Sequence, residues 1–268
     1  MARAAVPAVA ARWLSLGAAA GAAYLAALLA LDHYASYHEQ LALGVLTFAV
    51  LAGALGRVPS EVRAQTLGVV GFATIGEVTG SLVWGVYHYR LHNLPLFVPP
   101  AHGLVYLTGF ALARALGAWP PGPSPVAADV QRASHEGRRT LALVWTAAIV
   151  AGGWGLLGLT ILPRRDVAGA IGVPLLLLFL WRGRNRAIYA AVFLVVASLE
   201  LYGTAIGTWR WERTLPGLGI PDGNPPSGVA SGYVWFDVMA MLVAPYLIVL
   251  ARRTRRLTDE FRASVESH

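Results

Sequence analysis

The 268-residue chain has no cysteine and no lysine, and only 13% of its residues are charged. Without thiols, disulfides and thiolate metal sites are excluded. A soluble domain carries roughly 25% charged residues. The deficit here, together with 56% hydrophobic residues and a mean hydropathy of +0.57, excludes an ordinary soluble fold. A glycine-rich phosphate loop and a Gly-x-Ser-x-Gly elbow are also missing, so nothing points to nucleotide binding or serine-hydrolase chemistry. The formal net charge of +7 is carried by arginine alone. The arginines cluster at the ends of apolar segments, which argues against nucleic-acid binding and for orientation in a membrane.

What the chain does have is a succession of apolar runs. Eight spans are expected near residues 12–31, 41–56, 65–87, 101–117, 140–162, 167–181, 187–208 and 231–251, most of them close to the ~20 residues that a helix needs to cross a bilayer. The expected fold class is an all-α integral membrane protein of about eight transmembrane helices, arranged as two similar four-helix halves. With the amino terminus inside, sixteen of the 21 arginines fall on the inner side, and only Arg90, Arg164, Arg165, Arg210 and Arg213 fall outside. This predicts a multi-pass protein of the cytoplasmic membrane with both termini cytoplasmic.

Residues 1–117 and 140–251 form the two expected halves. The proline-rich stretch 118–139 reads as a cytoplasmic linker, and 252–268 as a basic cytoplasmic tail. Each half carries a glutamate in its third span. Glu77 pairs with Glu200 and Gly80 with Gly203, both at an offset of 123, and "HGLVY" (102–106) pairs with "SGYVW" (231–235) at an offset of 129. The conserved order predicts a duplicated four-helix unit with both copies in one orientation.

The two glutamates are the oddity of the chain. If each helix runs straight to Tyr87 or Trp209, each glutamate lies roughly 14–15 Å below the outer surface. A charge there costs at least ~2.5–3.5 kcal/mol, so the side chain should face the bundle interior, where separation from water favours its neutral form. Small neighbours such as Gly76, Gly80, Gly203 and Gly207 allow close helix approach, so the two carboxyls could meet. Asp237, near the start of the last span, is a third candidate, with a helix-end carboxylate at the interface as the alternative. The following loops, "HNLPLFVPP" and "LPGLGIPDGNPPSG", are apolar or stiff and flanked by aromatics. Those rings form an interfacial belt, or else the loops fold inward as lids whose aromatic walls steady a cation. Five of seven histidines (His33, His38, His88, His92 and His102) fall on the outer side, and His88 and His92 share one face if the helix continues. The second half has no matching histidines, so no metal site is expected.

Residues 76–107, "GEVTGSLVWGVYHYRLHNLPLFVPPAHGLVYL", resemble the signature region of the bacterial and archaeal carotenoid hydratase family of membrane proteins, with Glu77, Gly80, Tyr87, Tyr89 and Pro95 in comparable places. The chain is also similar in style to small membrane terpene and lycopene cyclases. The resemblance implies proton-initiated hydration or cyclisation of an isoprenoid or polyene, without a cofactor. Glu77, Glu200 and Asp237 are the catalytic candidates. The first half supplies Trp84, Tyr87, Tyr89 and His102 as candidates for holding the apolar lipid substrate. The second supplies Tyr202, Trp209, Trp211, Asn224 and Tyr233. Either glutamate could be the proton donor. The expected partners are the lipid bilayer and the apolar lipid substrate, not nucleic acid, and the sequence does not fix an oligomeric state. A proton-coupled transporter with duplicated halves and a membrane assembly subunit are the alternative readings.

Overall fold

In a computed structural model the chain is described at residues 8–116 and 128–266. The helices are α1 (Ala8–Tyr34), α2 (Tyr37–Leu55), α3 (Ser60–Glu77), α4 (Val98–Ala115), α5 (Ala128–Thr160), α6 (Val167–Arg182), α7 (Arg186–Ile206) and α8 (Val229–Glu266). A π-helical segment, Val78–Trp84, continues α3, and two short strands, β1 (Tyr87–Tyr89) and β2 (Trp209–Trp211), follow α3 and α7. Among the described residues, six helical stretches are long and apolar enough to cross a membrane: Leu14–Tyr34, Tyr37–Leu55, Ser60–Trp84, Gly137–Thr160, Arg186–Ile206 and Val229–Thr254. The chain is therefore a mostly helical, multi-pass membrane protein. α6 has only 16 residues, about 24 Å at 1.5 Å per residue. α4 carries Pro99, Pro100, His102 and Arg114 within its 18 residues, which lowers its hydropathy.

α7 is the innermost of the six, with 61% of its apolar window buried against 22–28% for the others. It packs on α4, and α3 packs on α8. Both crossings need a small residue. A Cβ at Gly109 of α4 would lie 2.5 Å from a Val192 methyl of α7, and one at Gly68 of α3 would lie 2.9 Å from Ala240 of α8. α3 also touches α4, as α7 touches α8. The core runs through these four helices, with Tyr106, Val192, Phe193 and Val234 fully buried.

Several expectations change. The third span is not one straight helix to residue 87. It widens into π geometry after Glu77 and ends at Gly85, whose φ of +72° reverses the chain. Gly207, with φ +78°, does the same after α7. Both angles favour glycine. The reversed segments pair antiparallel, Tyr87 with Trp211, His88 with Arg210 and Tyr89 with Trp209, so the chain is not purely α-helical. The stretch read as a linker is helical from Ala128 on, and residues 117–127 lie outside the described residues. α8 runs on through the expected tail to Glu266.

The glycine one turn past each glutamate admits an aromatic ring. A Cβ at Gly80 would lie 2.9 Å from the Tyr87 ring, and one at Gly203 would clash with the Trp209 ring. Gly17, in α1, has nothing within 4 Å of a built Cβ. Gly203→Ala is expected to cost about 1–3 kcal/mol through overpacking, despite alanine's better helix propensity. Thermal unfolding in detergent should show a lowered midpoint for Gly203→Ala and none for Gly17→Ala. Equal midpoints would mean that the ring does not rest on this helix face.

Candidate functional site

Because side chains alternate along a strand, Tyr87, Tyr89, Trp209 and Trp211 all project from one face of the β1–β2 ribbon, with His88 and Arg210 on the other. That aromatic face meets the two glutamates. Tyr87 Oη and Tyr89 Oη donate to Glu77 Oε2 at 2.6 and 2.7 Å. Trp209 Nε1 and Trp211 Nε1 donate to Glu200 Oε2 at 2.9 and 3.3 Å. Each carboxyl is thus held by the aromatic pair of the strand that follows its own helix. The rings also touch across the ribbon, Tyr87 to Trp211 at 4.5 Å between centroids and Tyr89 to Trp209 at 6.1 Å.

The two carboxyls differ in their remaining partners. His102 Nε2, from the first full turn of α4, lies 3.0 Å from Glu77 Oε1. With its hydrogen on Nε2, the imidazole is a third donor to Glu77. Glu77 therefore receives three bonds. Hydrogen bonds to a charged group contribute roughly 1.5–3 kcal/mol each, enough to offset an insertion cost of ~2.5–3.5 kcal/mol. Burial, and next the Glu77 charge, hold both tyrosine hydroxyls above their ordinary pKa, so they remain donors. Glu200 receives only the two indoles, both on Oε2, and its Oε1 makes no hydrogen bond among the described residues.

Both glutamates line one cavity of about 280 Å³. Its other walls are mainly apolar, from Leu25, Leu28, Leu29, Phe97, Val98 and Phe236. The volume falls just short of the roughly 300–1,000 Å³ usual for small-molecule sites. Of the residues singled out in the sequence, Tyr87, Tyr89, His102, Trp209, Trp211 and Tyr233 line it with the two glutamates. Four others, Trp84, Tyr202, Asn224 and Asp237, lie elsewhere. Trp84 is 45% exposed and donates to the Pro216 carbonyl at 3.0 Å. Tyr202 is exposed beside the exposed Leu201, on the outside of α7. Asn224 Oδ1 accepts from the Trp211 backbone N–H at 2.9 Å, bracing β2 from behind. Asp237 is not a helix-end carboxylate: it lies about two turns inside α8, fully buried and outside the cavity wall. His88 and His92 share no helical face, because one belongs to β1 and the other, at φ +55°, to a turn. Among the described residues no three or more His, Cys, Asp or Glu gather as metal ligands.

Residues that the sequence reading passed over fasten the ribbon. Arg90, just after β1, donates to the Asp32 and Ala35 carbonyls at the α1–α2 corner, and Asn93 donates to Gln40, which in turn donates to Asp32. At the α5–α6 corner Arg164 donates to the carbonyls of Trp211, Glu212 and Asp222. Asp166 caps α6 through Gly169 N–H and also accepts from Gly223 and Ser227 N–H at 3.0 and 2.6 Å. The detectable signal was a carboxylate near the end of α1, Asp32, and another between α5 and α6, Asp166. No protein-family model, no curated protein and no solved structure matches the chain.

Asp222 lies against that second anchor, 1% exposed. Burial, and next the Asp166 carboxylate, push it up to about 7, with Arg164 partly opposing. The folded loop thus binds a proton that the unfolded chain has released. The stabilisation is complete below pH ~4 and lost as pH rises through about 7. Hydrogen exchange of residues 212–228, corrected for intrinsic rate, should show stronger protection at acidic than at mildly alkaline pH. Asp222→Asn should abolish the difference; a difference that survives the substitution assigns it to another group.

Proposed function

We propose that the protein is an integral membrane enzyme that hydrates or cyclises an isoprenoid, polyene or similar apolar lipid by protonating a carbon–carbon double bond. The observation that carries this reading is the unequal dressing of two carboxyls on one apolar cavity. An indole N–H can only donate, so Glu200 Oε2 is fixed as an acceptor, and a proton on Glu200 must sit on the unbonded Oε1. Glu200 is the acid. Glu77, filled by three donors, is the fixed negative charge.

In the reaction Glu200 Oε1–H gives its proton to one alkene carbon. The π electrons form the new C–H bond and leave a cation on the neighbouring carbon. Glu77 and the faces of the tyrosine and tryptophan rings stabilise that cation. In hydration, water forms the C–O bond and returns a proton to the Glu200 carboxylate. In cyclisation, an internal alkene forms the C–C bond, and loss of a proton from the adjacent carbon restores the acid. Both routes end with the protein unchanged and need no cofactor. The resemblance of residues 76–107 to carotenoid hydratases points the same way.

The finer architecture belongs to this proposal. Eight spans in two duplicated halves, with both termini cytoplasmic, agree with the arginine distribution and with helix contacts that exchange under a two-fold relation. The α3–α8 contact answers to α7–α4, and α3–α4 to α7–α8. From glutamate to reversing glycine the first half has one residue more, 77 to 85 against 200 to 207, and the π-helical segment lies within that interval.

Membranes bearing the protein, fed candidate acyclic polyenes, should form product. Glu200→Gln is expected to lower turnover by roughly 10²–10⁴-fold, the range for a positioned acid, and Glu77→Gln to lower it as well. Undiminished turnover in both would overturn the proposal. Proton-coupled flux in liposomes that vanishes in Glu200→Gln, without chemical change of the solute, would identify a carrier instead.

A further inference from the structure

The cavity lies below a fastened roof and inside a ring of helices, so an apolar molecule needs a way in. All its walls face the same space, yet they differ in how open they are from outside. The α1 and α4 walls consist mostly of buried side chains, Leu25, Leu28, Phe97 and Val105 among them, and on α7 Val196 and Glu200 are buried too. By contrast, every cavity-lining residue of α3 and α8 is partly exposed: Gly76, Glu77, Val229, Gly232, Tyr233 and Phe236. Exposure concentrates on one seam.

Two glycines shape that seam. A Cβ at Gly76 would lie 2.7 Å from the tip of the Phe236 ring, so the ring rests directly on α3. A Cβ at Gly232, one turn earlier than Phe236 on the same face of α8, would meet nothing within 4 Å. Gly103, which pairs with Gly232 in the match of HGLVY to SGYVW, differs: a Cβ there would lie 2.9 Å from Leu51 of α2 and 3.0 Å from Val70 of α3. The position in the first half is sealed, and its counterpart in the second is not. Trp235 leaves the gap uncovered, because its ring leans on Phe179 of α6 at 5.7 Å between centroids. Gly76 and Gly232 both lie within apolar spans, and the rim is apolar and exposed at Ile75, Val78 and Trp235. A gap at that level faces acyl chains rather than water. Its outer end is closed by the hydrogen bond from Trp84 to the Pro216 carbonyl.

We propose that an apolar chain enters the cavity sideways from the bilayer through the α3–α8 seam, over Gly232, with Phe236 as the gate. The inference rests on the reading that the cavity takes an apolar lipid. A ring that rests on a glycine can turn aside without moving a helix, and on the cavity side Phe236 meets only the edge of Tyr233, at 5.5 Å between centroids. The cavity, at about 280 Å³, is just below the space that drug-sized ligands usually occupy, so a long chain is held by one end with its remainder in lipid. Glu77 adjoins the seam at Gly76. α7, which carries Glu200, packs on α4 and α8 rather than on α3, so the entering end passes the fixed charge before it reaches the acid.

A long alkane with a terminal diazirine, dissolved in phosphatidylcholine liposomes that hold the full chain, tests the route. Photolysis expels N2, and the carbene inserts into the nearest bond. Adducts on Leu28 and Val196, both buried and lining the cavity, report entry, whereas adducts on the exposed Leu201 report the surrounding bilayer. Against that background Gly232→Phe should lower cavity labelling about tenfold, as expected when a side chain fills the space the ligand must cross. Gly17→Phe in α1, where a Cβ also meets open space, should leave it unchanged. Phe236→Ala should speed cavity labelling, and it decides the matter if Gly232→Phe does not fold. Cavity labelling that neither seam substitution alters would overturn the entrance and leave the cavity as an apolar-lipid site. A wild type without cavity adducts would overturn the apolar-lipid reading and the entrance together.

Discussion

The structure depends on tying each membrane-buried carboxyl to the strand that follows its own helix. A glutamate in an apolar run is tolerable only if donors reach it, and neither α3 nor α7 can supply them from its own helical backbone. The chain solves this by stopping the helix early, reversing at a left-handed glycine and returning two aromatic donors to the glutamate. Once both segments return they lie side by side and pair, which satisfies their backbone groups in a setting with little water. The cavity, its aromatic roof and the stiff loops beyond it all follow from that return.

The same tie explains why the two carboxyls are not equivalent. Phenols and an imidazole gather round one, and indoles alone round the other. Every donor on Glu77 strengthens with negative charge. The pair on Glu200 leaves its other oxygen without a hydrogen bond among the described residues. The anchoring arginines and aspartates stand outside this circle, but they hold the roof over it. Arg90 and Arg164 are spent on backbone carbonyls rather than on carboxylates, which fixes loop position without bringing a cation into the cavity.

Much of this was legible in the residues. Glu77 and Glu200 stood out because lipid penalises charge, and their shared cavity follows from the glycines around them. The aromatic pairs were visible as flanking rings, but the straight-helix assumption put Tyr87 and Trp209 one membrane leaflet away from the carboxyls they bind. The turn signals were present in Gly85 and Gly207, yet an isolated glycine in an apolar helix is common in membranes and does not by itself announce a reversal. Strands of three residues leave no periodic trace. Asp237 was noticed but misplaced, because a carboxylate near a helix start usually faces the interface, and only the packing of α3, α6 and α7 around α8 shows how deep it lies. Arg164 counted only toward the charge distribution and Asp166 did not stand out, since their partners are backbone groups some sixty residues away.

The ribbon takes one strand from each side of the chain's midpoint, and neither strand has another partner in the described residues. Were the two segments supplied by separate but identical subunits, both carboxyls would be forced to carry the same companions. Covalent linkage removes that obligation. It allows one ribbon to hold two differently partnered carboxyls, so that the two positions can diverge without a second gene product to keep in step.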